Sequence, residues 1–218
     1  MKKKKKISII DYGVGNLRSL IRAFEYFGSD VAIVEDASLI LQSDAIVLPG
    51  DGAFKAGIRG LAVRNLTAGV LDFAKAGKPL FGICLGAQIL MSDGYEFGHC
   101  GGLALIDGKV IKFPKLAKWT KIPQIGWNSL TRPKGKRWEG SLLDKIKPGS
   151  NVYFIHSYIM EPKNNDHILA MTEYGGYDFA SVIAKGNILG CQFHPEKSAT
   201  VGLAIIKNFI DLMERKHV

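Results

Sequence analysis

The segment LFGICLGAQ at residues 80–88 joins an apolar stretch to a stretch with helical character, and a cysteine stands at the junction. Its first four residues predict a buried strand, and residues 85–91 predict a helix that follows at once. Gly82 and Gly86 flank Cys84 in the pattern G-x-C-x-G, which is typical of a nucleophile elbow. The amides and dipole of the following helix would favour a thiolate. The alternative is an inert buried cysteine with two packing glycines.

The alternation of strands and helices extends from this elbow through the first half of the chain. Strands are predicted at residues 7–10, 31–34 and 44–48, and helices at residues 17–27 and 61–76. The second half has predicted strands at residues 103–113, 122–130, 152–159, 168–174, 179–185 and 188–193, and a helix at residues 203–214. The pattern predicts one three-layer α/β domain with a mixed, mostly parallel sheet, whose ligands bind at the carboxyl ends of the strands.

Composition bounds the class of protein. The chain has 218 residues, 47% of them hydrophobic, but no apolar run reaches the ~18 residues that a membrane helix needs. The formal net charge is +9, and residues 2–6 are all lysine. We interpret residues 1–6 as a disordered basic extension and residues 7–218 as the domain, with a nucleic-acid or anionic-lipid tether as the alternative for the lysine run. No signal peptide is recognisable, so a cytoplasmic protein is expected.

The cysteine count leaves room for one reactive thiol. Cys84, Cys100 and Cys191 are too few and too scattered for a disulfide framework. They also lack the close pairing of zinc ligands, and no glycine loop has the Gly-Lys-Ser/Thr ending of a phosphate-binding loop. No metal or other cofactor is therefore expected.

A base for this thiol is predicted at the end of the last strand. His194 follows residues 188–193, and Glu196 stands two residues later, with Pro195 stiffening the turn between them. If that strand runs parallel to the strand before Cys84, the imidazole reaches the same edge of the sheet. The alternative is a surface histidine and a surface glutamate. His156 is the rival base, but it has no carboxylate nearby in sequence.

Acyl chemistry also needs donors for an oxyanion. The amide of Leu85 is the natural first donor because Leu85 follows the nucleophile. The loop Gly50-Asp51-Gly52 follows a predicted strand, and its glycines let a backbone amide turn inward. The alternative for this loop is an ordinary strand-to-helix turn.

These motifs together resemble the class I (triad-type) glutamine amidotransferase family, and within it the glutaminase subunits of imidazole glycerol phosphate synthases. The likeness spans nearly the whole chain and is carried by five segments. In the first half of the chain they are IDYGVGN at residues 10–16, LPG at 48–50 followed by GAF at 52–54, and GICLG at 82–86 followed by Gln88. In the second half they are Pro123 followed by GWN at 126–128, and HSY at 156–158 together with QFHPEKS at 192–198. The resemblance implies a flavodoxin-like fold of this family.

The resemblance also implies a division of roles. Cys84 would attack the side-chain amide of L-glutamine to form a thioester, His194 would move protons, and Glu196 would orient His194. The residues implied for the oxyanion hole and the glutamine pocket are Gly50, Asp51, Gly52, Leu85, Gln88, His156, Ser157 and Tyr158. Those implied for the interface with a (β/α)8-barrel synthase or cyclase partner in a heterodimer are Asn16, Pro123, Trp127, Asn128 and Lys197. Trp127 is expected to be exposed in the free subunit; a core aromatic is the alternative.

Three residues depart from the usual family pattern: Asp51 replaces an apolar residue, Gln124 a histidine and Ala87 a methionine. The pathway therefore stays open between histidine biosynthesis, where the partner makes imidazole glycerol phosphate and AICAR, and amidation of a sugar for surface polysaccharides. Two other classes are a non-catalytic subunit that stabilises its synthase and a cysteine hydrolase or peptidase that acts alone. The intact Cys84, His194 and Glu196 favour an active glutaminase.

Overall fold

The computed structural model describes residues 5–15 and 17–214. Its strands are Lys6–Ile10 (β1), Asp30–Val34 (β2), Ala45–Leu48 (β3), Leu80–Ile83 (β4), Met91–Gly94 (β5), Cys100–Gly101 (β6), Ile106–Lys112 (β7), Gln124–Ser129 (β8), Asn151–His156 (β9), Tyr158–Pro162 (β10), Ile168–Tyr174 (β11), Tyr177–Lys185 (β12) and Ile188–Cys191 (β13). Its α-helices are Leu17–Glu25 (α1), Ala37–Ile40 (α2), Phe54–Val63 (α3), Leu66–Lys75 (α4), Leu85–Gln88 (α5) and Ala199–Glu214 (α6). None of the helices in this part of the chain is long and apolar enough to cross a membrane.

One sheet of eleven strands organises the molecule. Its order is β2-β1-β3-β4-β13-β12-β10-β7-β5-β6, with β11 beside β12. The first five strands in this order, β2, β1, β3, β4 and β13, run parallel to one another. Strand β12 is antiparallel to its neighbours β13, β10 and β11. The predicted mixed sheet is confirmed. Because β4 and β13 are parallel neighbours, the residues that follow them lie at one edge, as the prediction for His194 required.

Two apolar clusters cover the two faces of the sheet. On one face, Phe24 of α1 and Phe81 of β4 pack against Phe209 of α6, with ring centroids 6.1 and 5.1 Å apart. On the other face, α3 and α4 bury Leu61 and Phe73. The three layers predicted from the strand and helix pattern are therefore present.

Three predicted elements are divided in the structure. The helix predicted at residues 61–76 is two helices, because Asn65 has a left-handed backbone (φ 56°) between α3 and α4. The helix predicted at residues 85–91 ends at Gln88, and Met91 begins β5. The strand predicted at residues 152–159 breaks at Ser157, so that β9 pairs with β8 in a separate two-stranded sheet while β10 joins the main sheet.

The first strand begins at Lys6, one residue before the predicted start of the domain at residue 7. Lys6 is the first residue of β1, where it pairs with Asp30, and its amide donates to the Asp44 carboxylate at 2.8 Å. Residues 1–4 of the predicted extension lie outside the described residues, so the expected disorder there stays a prediction.

Candidate active site

The elbow at Cys84 forms as the glycine spacing predicts. Cys84 has φ 51° and ψ −110°, a conformation that non-glycine residues rarely adopt, and its side chain is nearly buried. A Cβ on Gly82 would lie 2.6 Å from the Gly86 carbonyl oxygen, and a Cβ on Gly86 would lie 1.8 Å from that of Leu48. Only glycine fits at either position, so the backbone contacts of this turn dictate the G-x-C-x-G spacing.

His194 and Glu196 meet beside this elbow. The His194 Nδ1 lies 2.8 Å from the Glu196 Oε1, and both side chains are nearly buried. Because Nδ1 faces the carboxylate, Nε2 is the ring nitrogen left to face Cys84. The backbone supports this placement, since the amide of Cys84 donates to the carbonyl of Cys191 at 2.8 Å across β4 and β13. The structure thus brings together the three residues predicted to act as a triad.

The surroundings of His194 favour its charged form. Burial lowers the pKa of the imidazole, but hydrogen bonds to Cys84 and Glu196 and the negative charges of the same two residues outweigh it and raise the pKa to about 10. A charged imidazole beside the cysteine can give its proton to a leaving group, which is the role that a histidine has next to a cysteine nucleophile.

The helix dipole contributes less here than the sequence suggested. α5 is a single turn of four residues, and the amides of Ala87 and Gln88 donate back to the Cys84 carbonyl oxygen at 3.0 Å instead of facing the sulfur. One turn carries little of the dipole of a full helix. The predicted contribution of the helix dipole stays a prediction, and the short α5 leaves more of this role to neighbouring side chains.

The loop predicted to hold the second oxyanion donor packs directly on the elbow. A Cβ on Gly50 would lie 2.4 Å from the Leu85 Cβ, so glycine is required there as well. The buried hydroxyl of Tyr12 donates to the carbonyl of Pro49, and burial raises the pKa of that phenol. Leu85 is the first residue of α5, so its amide has no partner within the helix. Sequence reasoning missed Tyr12, whose hydroxyl anchors this loop through the carbonyl of Pro49.

A cavity of about 230 Å³ opens over the Cys84 sulfur. Its walls include most of the residues predicted for the glutamine pocket and also Glu96, which sequence reasoning missed. The lining residues are Asp51, Gly52, Cys84, Gln88, Glu96, Pro123, Ile155, His156, Ser157 and Tyr158. Glu96 follows β5, and its Oε2 accepts a hydrogen bond from the amide of Phe54 at 2.7 Å. One indication of Glu96 was present in the sequence, namely a carboxylate in the loop that comes after the elbow. A more open groove of about 460 Å³, lined by residues of β5, β7 and β10, lies elsewhere.

His156 lies in this wall as a neutral ring. Its Nδ1 donates to the carbonyl of Tyr158 at 2.9 Å, and it stacks on Phe113 with ring centroids 5.2 Å apart. Burial, together with the nearby charge of His194, lowers the pKa of His156 to about 3 despite the hydrogen bond to Tyr158. The sequence named His156 as the rival base. The structure gives the carboxylate partner to His194 instead.

The residues predicted to face a partner divide into exposed and internal groups. Pro123, Trp127 and Lys197 are exposed. Asn128 is engaged within the chain, because its Oδ1 accepts from the Gln124 amide at 2.9 Å and its Nδ2 donates to the carbonyl of Glu173. Asn16 lies outside the described residues.

Trp127 belongs to a wider apolar face. Ile125 and Ile155 are paired across β8 and β9, and both are exposed on the same side of the two-stranded sheet as Trp127. Gln124 points the other way and is fully buried. Trp127 is half-exposed and its ring lies edge-on to Tyr153, so the expected exposure is confirmed and the core alternative is wrong for this residue.

An elbow cysteine beside a histidine–carboxylate pair, at the carboxyl edge of a parallel sheet, defines a thiol-dependent acyl-transfer site. Residues 8–212 match the family described as glutamine amidotransferase class-I, and the chain belongs to this family. The resemblance found in the sequence motifs is thereby confirmed.

The similar proteins agree with this assignment. The imidazole glycerol phosphate synthase subunit HisH 1 of Legionella pneumophila strain Lens is 45% identical over 210 residues, which cover 94% of this chain and 99% of the relative. The subunit HisH of Methanosarcina acetivorans is also 45% identical, over 95% of this chain and 99% of its own length.

Solved structures support the fold alone, because their sequences are more distant. The structure of PurLQS from Thermotoga maritima aligns with a TM-score of 0.72 at 17% identity, covering 96% of this chain and 99% of that one. The structure of a putative GMP synthase subunit from Thermoplasma acidophilum aligns with a TM-score of 0.71 at 21% identity, covering 98% of this chain and 96% of that one.

Proposed function

We propose that this chain is the glutaminase subunit of a cytoplasmic imidazole glycerol phosphate synthase, which hydrolyses L-glutamine to glutamate and ammonia. The ammonia passes to a (β/α)8-barrel cyclase subunit that makes imidazole glycerol phosphate and AICAR in histidine biosynthesis. The observation that carries the proposal is the thiol–imidazole–carboxylate set at one sheet edge, in a chain 45% identical along its length to relatives named as subunits of that synthase.

The chemistry follows from the geometry of the three residues. The Cys84 sulfur attacks the amide carbon of the glutamine side chain, and the charged His194 gives its proton to the departing ammonia, which leaves a thioester. His194, now neutral, takes a proton from water, which attacks the thioester and releases glutamate. Glu196 orients the ring through the 2.8 Å contact in both steps. The developing oxyanion lies within reach of the Leu85 amide and of the Gly50–Gly52 loop.

The pocket also suits a free amino acid. Glutamine carries an α-ammonium and an α-carboxylate besides its amide. Asp51 and Glu96 contribute negative side chains to the cavity wall, and Ser157 contributes a hydroxyl. A carboxylate facing the α-ammonium would select an amino acid over a peptide amide. We assign that role to Glu96, since its position is fixed by the hydrogen bond from Phe54.

The partner would cover the apolar face of the two-stranded sheet, with Pro123, Trp127, Asn128 and Lys197 in or beside the contact. Ile125, Trp127 and Ile155 expose a contiguous apolar surface that no other part of the described chain (residues 5–15 and 17–214) covers. The carbonyl of Ile155 lies 3.9 Å from the Cys84 sulfur. A subunit docked on this sheet would therefore sit next to the site that releases ammonia.

The test is to purify the chain with its (β/α)8 partner and to follow product formation from glutamine and, separately, from ammonium chloride. We expect both to support synthesis, and we expect hydrolysis of glutamine by the isolated chain to be weak until the partner and its ligand are present. Synthesis that is supported by ammonium chloride but not by glutamine would identify a non-catalytic stabilising subunit. Full hydrolysis by the isolated chain would identify a hydrolase that acts alone.

The second candidate is a glutaminase that supplies a sugar-amidating synthase. It is favoured by Gln124 and Asp51, which depart from the usual family residues and lie at the two-stranded sheet and at the pocket. Buried Gln124 donates to Asn128, so its replacement of histidine changes the internal support of the proposed contact sheet. Offering the chain both types of barrel partner decides the pathway, since only the cognate partner should stimulate glutamine hydrolysis.

A further inference from the structure

Gln192 forms part of a buried chain of amides that ends at the Cys84 sulfur. Its side chain is fully buried, and its Nε2 lies 3.7 Å from the Cys84 Sγ. Its Oε1 accepts a hydrogen bond from the Nε2 of Gln88 at 3.1 Å. The same Gln88 nitrogen donates to the carbonyl of Tyr158 at 3.0 Å. The chain therefore runs from a backbone carbonyl of the pocket wall, through two glutamines, to the reactive sulfur.

The orientation of both amides follows from the first acceptor. The carbonyl of Tyr158 only accepts hydrogen bonds, so Gln88 must present its NH₂ group there. That NH₂ group also faces Gln192, so the side-chain oxygen of Gln192 must be the acceptor. A reversed Gln192 amide would place two donors against each other and an oxygen lone pair against the sulfur. The network thus leaves one arrangement, in which Gln192 presents an N–H to Cys84.

We propose that Gln192 is a positioning residue that holds the Cys84 sulfur in its thiolate form and fixes its direction. A hydrogen bond to a charged acceptor is stronger than one to a neutral acceptor, so an N–H donor stabilises the thiolate more than the thiol. With α5 reduced to one turn, Gln192 and His194 are the side chains that supply donors to the sulfur within the part of the chain that the structure describes. Gln192 also favours the sulfur as the leaving group when water cleaves the thioester.

The inference rests on Cys84 as the nucleophile of the proposed function, but its test needs no glutamine. We would measure the rate of alkylation of Cys84 by iodoacetamide against pH in the full chain carrying Cys100→Ser, with the Cys84→Ala/Cys100→Ser chain as the blank. Gln192→Met keeps the length of the side chain and removes the donor. We expect alkylation about tenfold slower below neutral pH, with rates that converge with those of the parent at high pH, because only the thiolate fraction has changed.

Ser181→Ala is the matched control. Ser181 is fully buried in β12, its carbonyl accepts the amide of Gln192 at 2.9 Å, and its hydroxyl has no partner among the described residues. It should leave the alkylation profile unchanged.

Gln192→Glu is the second variant, because it keeps shape and polarity while placing an acceptor at the sulfur. We expect its profile to move to higher pH at least as far as that of Gln192→Met, and it decides the question if Gln192→Met does not fold. Equal slowing at all pH values would indicate a purely structural role and would overturn the proposal, as would profiles of both variants that match Ser181→Ala. The proposed function is tested by a different measurement, the glutaminase activity of Cys84→Ala. The proposal for Gln192 and the proposed function can therefore fail independently.

Discussion

The thiol site and the two-stranded sheet share one pocket but are built in opposite ways. At the thiol site, Cys84, His194 and Glu196 are nearly buried and are joined by contacts within the chain. In the sheet of β8 and β9, one face is packed on the core while the other exposes Trp127 and Ile125 to solvent. The difference teaches that the three residues of the thiol site are brought together within this chain, whereas the described residues leave the apolar face of the two-stranded sheet exposed, as the proposed contact with a partner requires.

Backbone contacts join the two regions. The amide of His194 donates to the carbonyl of Tyr153 in β9 at 3.0 Å. Ser198 reinforces the junction, since its hydroxyl donates to the carbonyl of His194 at 2.6 Å and accepts from the amide of Tyr153 at 2.9 Å. A partner that displaced β9 would therefore pull on the backbone of His194, the base of the thiol site. This physical path supports the proposed activation by the partner.

The largest effect is expected from removing the nucleophile. Cys84→Ala should lower glutamine-dependent synthesis by roughly 10⁵-fold or more, as loss of a hydrolase nucleophile does. Synthesis from ammonium chloride should persist, because the chemistry of the partner needs no thiol from this chain. Both rates are measured in the purified complex, with Cys100→Ser as the matched cysteine control. Loss of both activities with the complex intact would contradict the assignment of Cys84 to glutamine hydrolysis alone.

The sequence predicts the thiol site well where the constraints are local. Steric contact across one turn dictates Gly82 and Gly86, so the elbow is readable from spacing alone. The short α5 was not readable, because Ile89, Leu90 and Met91 are all fully buried. A buried apolar run fits a helix and a strand equally well.

Relations between distant segments were the other limit. Gln192 is 104 residues from Gln88, and the direction of each amide depends on the carbonyl of Tyr158. No local pattern encodes such a network. The division of residues 152–159 between two sheets at Ser157 is likewise decided by pairing with β8 and β7, which only the folded chain supplies.

The next effect tests the exposed face. Trp127→Ala should weaken binding of the proposed partner by roughly 30- to 150-fold, because a large aromatic at the centre of an interface contributes about 2–3 kcal/mol. Titration calorimetry with the barrel subunit measures it. Tyr26→Ala is the control, since Tyr26 is an exposed aromatic that follows α1 and so lies near the amino ends of the strands. Unchanged affinity of Trp127→Ala would place the partner elsewhere.

A third prediction uses His156, which belongs to β9 but faces the core. Its pKa is lowered to about 3 in the folded protein, so the unfolded chain binds the extra proton as the pH falls below about 6.5. Stability from this residue is present above that pH and is lost toward pH 3. His194 has the opposite sign: its pKa is raised to about 10, so its contribution is complete below pH 6.5 and is lost as the pH rises toward 10.

Urea unfolding at pH 7 and pH 5 measures this difference. Between these values the His156 contribution should fall by about 2 kcal/mol. In His156→Asn the amide can still donate to the carbonyl of Tyr158 but does not titrate, so the pH dependence should be smaller by that amount. The contribution of His194 is common to both proteins and cancels. Equal pH dependence in the two proteins would mean that His156 has the same pKa in the folded and the unfolded chain, so that its folded-state pKa is not lowered.

The smallest effect on chemistry is expected from Asp51, which stands where the two regions meet. Asp51 is exposed, lines the glutamine pocket and also borders a crevice next to His194, Glu196 and Lys197. A carboxylate ~6–7 Å from the oxyanion would repel it by ~2–3 kcal/mol at an effective dielectric of ~20, but by well under 1 kcal/mol through water. No hydrogen bond joins Asp51 to Cys84 among the described residues, and its exposure favours the weaker case.

Asp51→Val should therefore change the partner-free rate of glutamine hydrolysis by less than about threefold. The concentration of partner needed for half-maximal activation should rise by up to about tenfold, because a charge directed toward solvent on this side is positioned to meet the docked subunit. Asp51→Asn separates the loss of charge from the change of shape. If the partner-free rate changed by about 30-fold while partner binding stayed the same, the Asp51 carboxylate would belong to the thiol site, since that is the effect of a charge facing the oxyanion at short range.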